Sequence, residues 1–441
     1  MSSSVPARPP GHPLAGPRMS VGVSNHVDSS LAAAQACEDV ARGLLSGVDR
    51  SCDLAMLFYT RHHIEHLRDA LAEVRSALDP RVVVGVSAET VIARAQEMEN
   101  LSGFAVMGAR LPGVRLRPFT SETLVPVDES ESGVAQIADT IGSDDRLRFT
   151  FLAADPFSVP LVKLVPAMNT ARKLSGARSS VLMGGLASAG HAPGQNALVI
   201  DDQILTSGAV GVSMSGALRV DTIVSQGCRP FGPNMVITKA RGNVILQLGG
   251  RPAMRVIQEC VDELPESVRD QLKRGLFIGR VIDEYKDRWG RSDYLIRGVI
   301  GVDETSGAVA VSDLVRTGQT IRLHVRDATT AAEDLDLLLD AQKLHDRPAG
   351  ALLVTCNGRG SRLFSEPHHD ARAITKAFAL PRPGEDLAKG GTPIDPTMAS
   401  PGAASMPLAG FFGAGEIGPV GEESFLHGHS ACVALFRAAE A

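Results

Sequence analysis

Apolar runs and amphipathic stretches alternate along the middle of the chain, and the alternation recurs. "LAMLFYT", from Leu54, is an unbroken apolar run of strand length. In the "HIEHLRDALAEVRSALD" that follows, Ile64, Leu67, Leu71 and Val74 fall three and four apart, the stripe of an amphipathic helix. "RVVVGVSAETVI" then reads as a strand ending in Gly85 and small residues, and "LSGFAVMGARL" as a closing strand. The same order returns in "RFTFLAADPF", "VPLVKLVPAMNTARKL", "SSVLMGGLASAG" and "TSGAVGVSMSG". It returns again in "GALLVTCNGRG", "HHDARAITKAFAL", "PLAGFFGAGEIGPVG" and "FLHGHSACVALF". Element order and local composition agree in all three copies. They predict an α/β fold of repeated strand-helix-strand-strand units, packed as a pseudo-symmetric composite.

A connector over residues 221–345 separates the second and third copies. Its strand-like pieces are joined by the turn signals "ARGN" and "DETSG", which predict hairpins. "RPAMRVIQECVDEL" and "ATTAAEDLDLLLDAQKL" predict helices in it. Residues 1–18, rich in Pro, Gly and Ser, are expected to form a disordered tail. Residues 381–406, of similar composition, are expected to be a flexible insertion in the third copy.

Composition narrows the function. Aromatic residues are only 4% of the chain, too few for a stacking platform for single-stranded nucleic acid. The formal net charge of -6 and the absence of a dominant basic stretch disfavour nucleic acid and anionic membrane as partners. No apolar run reaches the roughly 18–20 residues of a spanning helix. Cys37, Cys52, Cys228, Cys260, Cys356 and Cys432 are scattered without C-x-x-C spacing. That usage suits free thiols in a reducing compartment, and a cytoplasmic location is expected.

The motifs carry a resemblance. "LFIGRVIDEY", "DYLIRGVIGVD", "IRLHVRDA", "LLVTCNGRG", "GFFGAGEIGPVG" and "LHGHSACVALF" stand in the order found in the C-terminal domain of FIST sensory proteins. "DLAMLFYT", "VVVGVSAETVI" and "VSQGCRPFG" are similar to the FIST N-terminal domain. The resemblance covers residues 20–437 and implies a FIST N-like domain over 19–235 and a FIST C-like domain over 236–441. It also implies a small-ligand sensor with amino acids as suggested ligands. The chain shows no kinase-like or other output segment, so a signalling partner protein is expected. The C-terminal domain also occurs in F-box-linked proteins, which makes an interaction scaffold a further alternative.

Several stretches carry candidate chemistry. "FFGAGEIG" contains G-x-G-x-x-G at Gly413, Gly415 and Gly418, the fingerprint of a dinucleotide loop. Such a loop needs a helix directly after it to hold the pyrophosphate. Here a further strand follows instead, and the equivalent places in the other copies lack the fingerprint, so no cofactor is expected. The glycines are read as a turn that permits positive φ or close approach of a ligand or backbone, with Glu416 at its tip. "TCNGRG" ends a strand, where ligands of open α/β sheets gather. Asn357 offers a donor and an acceptor, Arg359 a fork for a carboxylate, and Gly358 and Gly360 backbone N–H groups for an anion. With Glu416 for an ammonium group, these predict an amino-acid pocket. Ser87, Ala187 and Gly413 in the small-residue loops are expected to line it. Arg229 in "SQGCRPFGPN" is a second anion-binding candidate.

Three other patterns compete. Cys356 with His427 or His429 as base is the alternative of a hydrolase or acyl-transfer enzyme. "HHIEH" places His62 and His66 in the H-x-x-E-H metal pattern. No further ligand is identifiable and no metal is expected. Arg297 in "LIRGVIG" and Arg326–Asp327 in "HVRDA" lie in apolar strands, where a charge requires a partner, so buried or interface ion pairs are expected there.

Overall fold

The computed structural model describes residues 16–45, 51–123, 131–379 and 406–439. The expected tail lies outside the described residues but for its last three. Of these, Arg18 already belongs to a strand. The expected insertion lies outside them too except for Met406, which is buried.

The first unit runs β1 (Arg18–Ser24), α1 (Ser29–Leu44), β2 (Leu54–Thr60), α2 (Leu67–Leu78), β3 (Val82–Ala88), a short hairpin β4 (Val91–Ala93) and β5 (Gln96–Glu97), then β6 (Phe104–Arg110). The second runs β7 (Val114–Thr120), α3 (Glu131–Ile141), β8 (Leu147–Ala154), α4 (Leu161–Leu174), β9 (Val181–Leu186), a hairpin β10 (Leu198–Ile200) and β11 (Gln203–Leu205), then β12 (Ala209–Gly216). The third opens with β13 (Leu218–Gln226) and then gives way to another body. That body is β14 (Cys228–Arg241), β15 (Val244–Leu248), β16 (Arg251–Pro252), α5 (Ala253–Asp262), α6 (Glu266–Gln271), β17 (Leu276–Val281), β18 (Tyr294–Asp303), β19 (Ala308–Val311) and β20 (Thr320–Arg326). The third unit resumes with α7 (Ala328–Gln342), β21 (Gly350–Cys356), α8 (His369–Ala377), β22 (Leu408–Gly413), the hairpin β23 (Glu416–Val420) and β24 (Glu423–His427), and β25 (Ser430–Ala438).

The connector expected over 221–345 is thus shorter. β13 pairs along its whole length with β25, and α7 packs on that sheet, so both belong to the third unit. What remains is a small barrel. Its strands run β14-β20-β17-β18-β19-β15 and close through a β14–β15 pairing, with β16 on the outside. The hairpins expected at "ARGN" and "DETSG" are present, with Gly242 and Gly307 at positive φ.

Three six-stranded sheets form the rest, in the orders β1-β6-β2-β3-β10-β11, β7-β12-β8-β9-β23-β24 and β13-β25-β21-β22-β4-β5. Each is built alike from opening strand, closing strand and a parallel pair. The last two strands of each are a hairpin borrowed from another unit. The first unit lends β4–β5 to the third, the second lends β10–β11 to the first, and the third lends β23–β24 to the second.

Period-two alternation explains the layering. Leu54, Met56 and Phe58 of β2, Phe149 and Phe151 of β8, and Leu352 and Val354 of β21 meet in one central core. Phe58 stacks on Phe411 of another sheet, centroids 5.7 Å apart, and Phe149 meets Phe436 edge-on at 5.2 Å. The intervening residues face helices: Leu57 toward α1 and α2, Leu152 toward α3 and α4, Leu353 toward α7 and α8. Each of these leucines stands opposite a glycine in the parallel partner, Gly85, Gly184 or Gly410. A Cβ on Gly410 would lie 1.7 Å from the Leu353 carbonyl oxygen, and one on Gly184 1.8 Å from that of Leu152.

Candidate functional site

β21 ends at Cys356 beside the end of β22, because the two run parallel and in register from Ala351 opposite Leu408 to Cys356 opposite Gly413. The barrel meets them there. Its first residue, Cys228, pairs with its last, Arg326, and the Arg326 guanidinium donates to the Gly358 carbonyl at 2.6 Å. The β24–β25 turn supplies His429 and Ser430. These three contributions enclose a buried polar cluster.

Arg359 is completely buried. Its Nε and Nη2 donate to the two oxygens of Asp370 at 2.7 and 2.9 Å, a bidentate pair at the start of α8. Burial alone would lift the Asp370 carboxyl; Arg359 and His369 overturn this and hold it well below the usual carboxylate range. The fork expected to seize a ligand is therefore occupied, and only Nη1 has no partner. Glu416 corrects its expected position as well. It is not at a loop tip but begins β23, fully buried, and the exposed residue of the turn is Ala414. Its Oε2 accepts from the Ser430 backbone at 3.2 Å and from the Ser430 hydroxyl at 2.7 Å, while Oε1 has no partner. Burial raises the Glu416 pKa to about 8 despite these bonds.

Asn357 Oδ1 and Arg326 Nε are also buried without partners. Two cationic donors and two oxygen acceptors thus share one cluster with unmet hydrogen-bonding capacity. An unmet buried polar group costs about 1–3 kcal/mol. Cys356, Asn357, Gly358 and His429 are half-buried, so the cluster reaches solvent on their side.

Of the roles expected of the glycines, Gly413 and Gly415 serve close backbone approach rather than positive φ. Neither Gly413 nor Gly415 has positive φ. They let backbones meet: Leu186 of β9 donates to the Gly415 carbonyl at 2.9 Å and accepts from Ala414 at 3.1 Å. A Cβ on Gly413 would lie 3.0 Å from the Gly415 oxygen. Gly418 lies within β23, with no helix after it to hold a pyrophosphate. Gly358 makes room for Arg326, whose Nη1 a Cβ there would approach to 2.6 Å. Its N–H points at the Cys356 sulfur, not at an open anion site.

Two predicted residues stand apart in their bonding. Ser87 is buried, and its hydroxyl accepts from the Ala197 N–H at 2.9 Å. Arg229 pairs with Asp327 at 3.3 Å.

The catalytic alternative finds little support in the geometry. Cys356 Sγ lies 3.9 Å from His429 Nδ1. Burial, and then the Glu416 carboxylate, push the Cys356 thiol up to about 11, while burial and Arg326 lower His429 to about 4. A weak base beside a reluctant thiol is the reverse of an activated nucleophile. His427 is buried and bonded to the Gly418 carbonyl at 2.9 Å. His62 lies on a single 3-10 turn and His66 precedes α2, so the two do not share a helical face. The intervening His63, which sequence reading passed over, is the buried one, held by Ser29 and Ser102 at 3.0 Å each.

The family models for the FIST N domain and the FIST C domain match residues 53–251 and 253–419. The chain belongs to the FIST family. FIST domains are associated with sensory and signal-transduction functions. The two matched segments are interlaced here: β4 of the FIST N segment pairs with β22 of the FIST C segment, and β23, at the end of the FIST C segment, pairs with β9 of the FIST N segment. The FIST protein is 37% identical over 422 residues to the uncharacterized protein Rv0628c of Mycobacterium tuberculosis, covering 95% of this chain and 99% of that one. It is 36% identical to the uncharacterized protein Mb0898c of Mycobacterium bovis, covering 95% and 98%. Among the described residues, no helix is long and apolar enough to cross a membrane.

Sequence reading missed Asp370, Ser430 and the full part played by Arg326. The one signal for the first was an acid eleven residues beyond a strand-end arginine. Ser430 and Arg326 reach the site only through long-range pairing.

Proposed function

We propose that this FIST protein is a non-catalytic sensor that binds a small zwitterion, an amino acid in the simplest case, at the cluster around Arg359 and Glu416. The observation that carries the reading is the balance of unpartnered atoms: Arg359 Nη1 and Arg326 Nε on one side, Glu416 Oε1 and Asn357 Oδ1 on the other. A ligand carboxylate supplies acceptors for the two guanidinium groups, and its ammonium group supplies donors for the two oxygens. Asp370 ties Arg359 to the first turn of α8, so a pull on Arg359 is felt by that helix, from which a partner protein reads the event. The six free thiols fit a reducing, cytoplasmic setting.

Calorimetry and thermal shift on the full chain, with the standard amino acids and small carboxylates, test this. At least one amino acid is expected to bind and raise Tm by mass action on the native state. Glu416→Gln and Asn357→Ala are expected to weaken it, the first by about tenfold or more. No response to any of these compounds overturns the reading.

A further inference from the structure

A cavity of about 220 Å³ lies between α4, β24 and the barrel strands β17 and β18. It is separate from the cluster at the end of β21 and joins parts of the chain far apart in sequence. Arg280, Arg297, Asp313 and Glu423 are its charged lining. Arg297 Nε donates to Asp313 Oδ2 at 2.7 Å, and Arg280 Nη2 reaches the same oxygen at 3.4 Å. Two guanidinium groups therefore share one carboxylate. Glu423 on the rim is paired with Lys173. Glu284, near Arg280, is exposed and its Oε1 is occupied by the Thr320 N–H.

Hydrogen bonding is unbalanced in this cavity. Arg280 Nε is buried with no acceptor. Ser424 is 1% exposed, and its hydroxyl has no partner either. Asn169 clamps the Ser424 backbone on both sides, donating to its carbonyl at 2.8 Å and accepting from its N–H at 3.0 Å. Burial lowers the Arg280 pKa, and Asp313 opposes this.

The geometry points to a second ligand site here, an oxyanion site for a phosphate group, with Arg280 as its cation and Ser424 as a hydroxyl donor. Two buried donors without acceptors, one of them on a guanidinium, call for a ligand rich in acceptor oxygens, and guanidinium with hydroxyl suits phosphate. The volume is below the roughly 300 Å³ at which pockets for larger organic ligands begin. The occupant is therefore free phosphate or the phosphate end of a small metabolite.

The test is calorimetry on the full chain in an anion-poor buffer, with inorganic phosphate and glycerol phosphate as probes. Saturable binding of at least one probe is expected. Arg280→Gln is expected to weaken it about tenfold or more, by removing a charge-assisted hydrogen bond. Ser424→Ala removes only the unpartnered hydroxyl and decides the matter should Arg280→Gln fail to fold; it too is expected to weaken binding. Tighter binding of glycerol phosphate assigns a metabolite, and equal binding assigns the free ion. Absence of binding by both probes, or unchanged affinity in Ser424→Ala, overturns the proposal.

Discussion

Arg359 grips Asp370 through two parallel hydrogen bonds of 2.7 and 2.9 Å, and neither side chain reaches solvent. The pair joins the end of β21 to the start of α8. Removing one partner leaves the other charge buried and alone. Asp370→Ala is expected to destabilise the fold by about 3–5 kcal/mol. Replacing both residues by apolar ones of similar volume is expected to cost far less. Denaturant unfolding of the two variants checks the difference.

Glu416 sets a pH dependence. Its pKa rises from 4.5 in the unfolded chain to about 8 in the fold. The native state thus holds a proton that the unfolded state has released, so stability falls as pH rises from about 4.5 to about 8. Glu416→Gln has no proton to lose at this position. Unfolding midpoints of wild type and variant are expected to diverge across that window, with the wild type losing ground toward high pH. Parallel curves would show that Glu416 titrates normally.

Ligand binding carries the opposite sign. If a ligand ammonium pairs with the Glu416 carboxylate, binding below pH 8 must expel the proton. Affinity for the amino acid is then expected to rise by up to about tenfold per pH unit between pH 6 and 8, with proton release visible in calorimetry in buffers of different ionisation enthalpy.

Cys356 is expected to label slowly. With its thiol pushed up to about 11, little thiolate exists at neutral pH. Iodoacetamide at pH 7 should modify it more slowly than a free cysteine, and His429→Ala should leave that rate unchanged. Rapid labelling that depends on His429 would revive the nucleophile reading.

Gly410 tolerates no side chain. The 1.7 Å approach of a Cβ to the Leu353 oxygen requires β21 and β22 to separate. Gly410→Ala is expected to cost about 3 kcal/mol or more, measured by thermal unfolding. Gly421, on the open turn between β23 and β24, has nothing within 4 Å of such a Cβ. Its positive φ is the only objection to alanine there, and the expected cost is about 1 kcal/mol.

Much of the scaffold was legible because strands buried on both faces read as apolar runs, as β2 and β21 do. The helix stripe of Leu67, Leu71 and Val74 was legible by the same logic, and all three are buried. The opening strands were not. In β7, "VRLRPFT", arginines alternate along a sheet edge, so no apolar run marks it. α7 was visible as a helix, but nothing local shows that it covers β13 and β25. "SFLHGHSACVALF" read as one strand; His429 at φ 66° breaks it into β24 and β25. At the site, the types of Asn357, Arg359 and Glu416 were legible. Their partners were not, because ion pairing and burial are set by which distant strands come to lie side by side.

The exchanged hairpins bear on how the chain is made. β25 follows every other described strand, yet it lies inside its sheet, between β13 and β21. While the ribosome is still translating the residues before it, β13 and β21 have no strand to hold them together. The second unit likewise waits for β23–β24 to cover the open side of β9. Closure of the whole must then wait until β23–β24 and β25 have been made. The nascent first and second units meanwhile carry exposed strand edges that a chaperone would recognise.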